Sequence, residues 1–193
     1  MKKSILLIFL CVNFTSIFAQ ITVTKTEGSS VVTKLSMGIK VNDGSSLIRE
    51  KITINDAQCP VQLNNVGIQP IYSSSRSNYT FNPEGNLVTK EPIVALEVYH
   101  VLYDVFGEYI KTLSNTEVLD VLGQHDISKS SIWYASENDI SNYFSCVSYV
   151  ANVRTKNGQL WHYDFKAIKD QLDLLKISFE EGYIPKKDND KDK

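Results

Sequence analysis

Two segments of this chain are apolar on both sides, and that pattern restricts the fold more than any other feature. In residues 93–106, Leu96, Val98, Leu102 and Phe106 alternate with Ala95, Tyr99, Val101, Tyr103 and Val105. In residues 143–155, Phe144, Cys146 and Val150 alternate with Tyr143, Val147, Tyr149, Ala151 and Val153. A strand of this kind turns neither face to water, so it lies centrally and is covered front and back. Two of them in one short chain are expected to be neighbours.

The remaining β-rich stretches are shorter and are separated by turn residues. Residues 21–26, 31–41 and 47–55 read as N-terminal strands, with Asn42-Asp43-Gly44 as a turn and Ile48, Ile52 and Ile54 on one side of the third. Pro83 and Gly85 predict a tight hairpin between residues 79–81 and 87–89. Residues 109–113, 117–121 and 131–136 are three further strand candidates. Asn157-Gly158, between Val153-Arg154-Thr155 and Leu160-Trp161-His162, predicts a two-residue type I′ hairpin. After Asp164 the period changes: Phe165, Ile168, Leu172, Leu175 and Phe179 recur every three or four residues, so Asp164 is expected to cap an amphipathic helix of about a dozen residues.

These elements predict an all-β fold, an immunoglobulin-like antiparallel β-sandwich with extra N-terminal strands and one C-terminal amphipathic helix. A small barrel is the alternative. The segment Glu97-Val98-Tyr99-His100-Val101-Leu102-Tyr103-Asp104-Val105-Phe106-Gly107-Glu108, with Tyr149-Val150-Ala151-Asn152-Val153-Arg154-Thr155-Lys156-Asn157-Gly158, resembles uncharacterised secreted bacterial immunoglobulin-like domains. The ending Phe18-Ala19-Gln20 is similar to export signals of Bacteroidota. The resemblance implies a fold and a compartment and transfers no catalytic residue.

Lys2 and Lys3 precede an apolar run over residues 5–18, with Ala19-Gln20 as a small-residue cleavage point. The run is broken by Asn13, Thr15 and Ser16 and is short for a membrane span of about 20 residues. The expected division is a signal peptide over 1–19, one domain over 20–182 and a charged, disordered tail over 183–193. The expected location is the periplasm or the exterior of the cell.

The chain carries 20 basic and 22 acidic residues, and without Lys2 and Lys3 the balance is 18 against 22. Its one dense charge run, residues 186–193, alternates in sign, so nothing favours nucleic acid. Asp188, Asp190 and Asp192 imitate the opening of a calcium loop without its glycine or final glutamate. Export permits a disulfide between Cys59 and Cys146, with two buried thiols as the alternative.

His100, His125 and His162 are far apart, and no metal-binding spacing, nucleophile elbow or phosphate loop is present, so no metal and no cofactor is expected. His100, between Val98 and Leu102, reads as a core histidine, and His125 as part of a solvated loop. Asp104 and Arg154 fall inside apolar strands, where each needs a partner or an edge. Tyr99, Tyr103, Tyr149, Trp161 and Tyr163 are the candidate binding residues, an aromatic sheet face that helix or N-terminal strands otherwise bury. The leading functional expectation is an exported non-catalytic interaction or structural module that contacts an envelope protein or a glycan. A hydrolase with residues dispersed around His125 or His162, and an inhibitor-like partner using an edge strand, are the alternatives.

Overall fold

The computed structural model describes residues 21–30, 34–36, 39–41, 48–73, 78–128 and 130–185; the expected signal peptide, the expected turn at 42–44 and the charged run from 186 lie outside them. In chain order the elements are β1 (Ile21–Ser30), β2 (Lys34–Ser36), β3 (Ile39–Val41), β4 (Ile48–Asp56) and β5 (Val61–Ser73). There follow β6 (Asn78–Tyr103), β7 (Tyr109–Asp126), β8 (Trp133–Ala135), α1 (Glu137–Asn142), β9 (Ser145–Thr155), β10 (Leu160–His162), α2 (Phe165–Leu174) and a 3₁₀ turn, Glu181–Tyr183. The fold is mostly β, as expected. Its main strands form one strongly curled mixed sheet, a half-barrel, in the order β1-β4-β9-β6-β5, with β7 and β8 on β6 and β10 on β9. The expected all-antiparallel pairing is corrected at its centre, because β4 and β9 run parallel.

β6 and β9 are the two doubly apolar segments, and they pair from Ile93↔Thr155 to Tyr103↔Ser145. Tyr99, Val101, Tyr103, Val147 and Tyr149 face one side, under Ile168, Leu172 and Phe179 of the C-terminal segment. Leu96, Val98, Leu102 and Cys146 face the concave side of the sheet. β9 carries one extra residue where Glu97↔Asn152 is followed by Val98↔Val150. This bulge at Ala151 reverses the alternation, so Val153 joins the concave core rather than the side of Tyr149.

No hairpin forms at residues 82–86. The chain runs through them as the first half of β6, with Pro83 opposite Ile68 and Glu84 opposite Gly67. Gly85, at φ +111°, meets a register shift in β5, and a Cβ there would lie 2.5 Å from the Asn65 carbonyl oxygen. The glycine therefore serves a close approach of two backbones rather than a turn. Residues 109–113 and 117–121 likewise belong to one strand, β7.

The corner lies elsewhere. Register shifts between Thr89 and Ala95 bend the β6–β7 ribbon, so Phe81 packs with Leu102, and Leu87 with Leu96, across the concave side. His125 Nε2 lies 3.1 Å from Glu117 Oε2, although eight residues of straight strand span about 27 Å. His125 is therefore a paired residue at the corner of β7 rather than part of a solvated loop.

Strand β6 ends at Tyr103 instead of Phe106. The Asp104 carboxylate accepts the backbone N–H groups of Phe106 and Glu108, at 2.8 and 2.9 Å, and Gly107 adopts φ +82°. That turn satisfies Asp104 and leaves Val105 and Phe106 exposed. The hairpin after β9 is present, but only Gly158 has positive φ, and its N–H bonds the Thr155 carbonyl. It is a three-residue loop with a glycine bulge, not a type I′ turn. Asp164 caps α2 through the Ala167 N–H at 3.1 Å, as expected. The helix stops at Leu174, and the chain turns at Lys176, φ +59°, to return Phe179 to the core.

Candidate functional site

The aromatic residues singled out in the sequence do not form one open face. Tyr99, Tyr103 and Tyr149 are buried, and Tyr99 and Tyr149 meet edge to face at 5.8 Å. Tyr163 packs over both, and Phe179 closes on Tyr149 at 5.8 Å. The Tyr103 hydroxyl donates to the Ser178 carbonyl at 2.8 Å. Burial, then the neighbouring Glu97 carboxylate, push the Tyr99 hydroxyl up to about 12. Trp161 packs into the concave core instead, on the other side of the sheet from Tyr163. β10 ends between them, and the Tyr163 N–H bonds the carbonyl of bulged Ala151.

The concave interior holds a second cluster of chemically capable groups. His100 Nδ1 lies 2.9 Å from Ser148 Oγ, which lies 3.4 Å from Cys146 Sγ. All three residues are buried, and burial lowers His100 to about 3, so its ring is neutral. Cys59 and Cys146 are free thiols in different core clusters, and burial pushes each up to about 12. A thiol held in this form is a poor nucleophile. Among the described residues, no group of three or more His, Cys, Asp and Glu side chains could hold a metal ion.

The accessible chemistry lies on the convex side beyond the reach of α2. There β7, β6, β9 and β10 run side by side, and their register sets two outward rows across the four strands. One row is Thr116-Glu97-Asn152-His162 and the next is Val118-Ala95-Arg154-Leu160. All of them but Val118 line a shallow groove, with Leu96 and Val153 lying between the two rows and turned to the concave side. Val118 is 88% exposed and Leu160 61%, which marks this end of the sheet as uncovered.

The first row is internally ordered. Glu97 accepts from Ser114 Oγ at 3.2 Å and from the Asn152 side-chain amide. A carboxylate only accepts, so the Asn152 nitrogen faces Glu97 and its oxygen faces His162. His162 Nδ1, 2.5 Å from that oxygen, must donate. In the neutral ring Nε2 is then a hydrogen-bond acceptor. In the second row Arg154 is exposed and forms no ion pair among the described residues.

His162 was visible in the sequence as a candidate, and Arg154 as a charge in need of a partner or an edge; Glu97 and Asn152 were not. Each is a single polar residue in an apolar strand, and only the bulge at Ala151 brings Asn152 and Arg154 to the same side as Glu97. Among the described residues, no helix is long and apolar enough to cross a membrane. Comparison with known protein families, curated proteins and solved structures gives no match.

Proposed function

We propose that this chain is an exported, non-catalytic interaction module, and that its partner docks on the uncovered end of the convex sheet. The export part rests on Lys2, Lys3 and the apolar run that follows them. The docking part rests on one observation: exposed Val118 and Leu160 flank Arg154 on a four-stranded surface that α2 leaves open. Interface cores are more apolar than the rest of a surface and are enriched in arginine. The immunoglobulin-like sandwich is part of the same proposal. The bend in β6 and β7 sets two walls of the sheet face to face, as strands that pass between layers do.

Mature protein, residues 20–193, is immobilised and offered solubilised envelope proteins and a polysaccharide array. The reading expects a bound species in one of the two classes, lost on Val118→Lys and on Leu160→Lys. Retention by both variants, or no binding in either class, removes it.

The hydrolase alternative has a histidine–carboxylate contact in His125 and Glu117, but it is turned into the corner of β7. At His162, among the described residues, no serine, threonine or cysteine side chain hydrogen-bonds the ring. The inhibitor alternative has an edge to use in β7, which, among the described residues, forms a ladder with β6 alone.

A further inference from the structure

Resting on that docking face, we infer that its ligand is an extended peptide segment bearing an acidic side chain between two apolar ones, at positions i, i+2 and i+4. The chemistry follows from which groups in the two rows are already committed. Glu97 accepts from Ser114 and Asn152, and Asn152 is divided between Glu97 and His162, so these side chains hold one another. Arg154 has no carboxylate partner among the described residues, and its planar fork suits a carboxylate. In its neutral form the His162 ring offers Nε2 to a backbone N–H.

The spacing selects an extended chain. Val118, Ala95, Arg154 and Leu160 occupy four adjacent strands, and three inter-strand steps come to about 14 Å. Alternate side chains of an extended peptide are about 6.8 Å apart, so positions i and i+4 are also about 14 Å apart. A peptide laid across the strands can therefore set its two apolar side chains against Val118 and Leu160, and its acidic side chain reaches Arg154 between them. The groove favours a peptide over an acidic glycan because the apolar side chains it offers, Ala95 and Leu160, are aliphatic, and Trp161 is turned into the core. Sugar rings stack on aromatic faces, and this surface has none to offer.

The probe is a fluorescein-labelled nonapeptide with leucine, glutamate and leucine at alternate central positions among serines and threonines, measured by fluorescence polarisation with the mature chain. Its glutamine counterpart and polygalacturonate are the comparison ligands. The glutamate peptide is expected to bind about tenfold more tightly than the glutamine peptide, the scale of one charge-assisted fork. Arg154→Gln is expected to abolish that difference while Val118→Lys weakens both peptides. Circular dichroism of each variant shows whether the sheet is intact. Equal affinity for the two peptides, no binding of either, or binding of polygalacturonate alone overturns the inference. A partner lost on Val118→Lys but indifferent to Arg154→Gln would overturn it too, with the docking face left standing.

Discussion

Single residues buried in the concave core control how this protein responds to acid and to thiol reagents. Folded His100 stays neutral down to about 3 because no charged form is tolerated there, whereas in the unfolded chain it protonates near 6.5. The unfolded state therefore binds the extra proton between these values, and stability present above pH 6.5 is lost as the pH falls. Between pH 6.5 and pH 5 the loss from this one group is about 2 kcal/mol. Urea titrations at several pH values check it: the His100→Gln variant is expected to show a shallower decline, and an identical slope refutes the assignment. Cys59 and Cys146, held as thiols by burial, are expected to resist a disulfide reagent at pH 8 until denaturant is added. Rapid labelling of the native protein would contradict their placement. The core position of His100 was legible from its apolar neighbours. The Ser148 hydroxyl that meets its ring was not, because that contact joins residues 48 positions apart.

At the scale of elements, strands were easier to find than their ends. Gly85 and Gly123 look alike in sequence, and both have positive φ, +111° and +92°. A methyl group at Gly123 meets nothing within 4 Å, whereas at Gly85 it meets the β5 backbone at 2.5 Å. Gly123→Ala is expected to cost about 1–2 kcal/mol for the conformation alone. Gly85→Ala is expected to cost about 1–3 kcal/mol more, because backbone must move. Chemical denaturation of both variants decides; equal costs would mean that the β5–β6 approach is looser than described. Sequence suggested a turn at Pro83 and Gly85 because those residue types serve turns, and the same types serve bulges. α1 was missed for a related reason. Ser136 and Asp139 form a reciprocal capping box, but the helix behind them has only six residues, too few for a periodic signal.

The whole molecule is held by coverage on both sides of β6 and β9. Leu172 is fully buried on the convex side against the tyrosine cluster. Leu172→Ala is expected to lower stability by about 2–5 kcal/mol, read from denaturant midpoints, since α2 is what excludes water there. A loss well under 1 kcal/mol would mean that the helix does not carry this core. The same helix limits the candidate site: it covers Tyr99 and Tyr149 and stops short of Glu97, Asn152 and Arg154. The order of apolar and polar residues along the chain was enough to establish two central strands, a capped closing helix and a mostly β body, because burial periodicity is a local property of each segment. Tertiary structure alone decided which of the polar and aromatic residues near those strands are accessible. One extra residue in β9 and a bend in β6 change the side to which every later side chain points, and no local pattern records either.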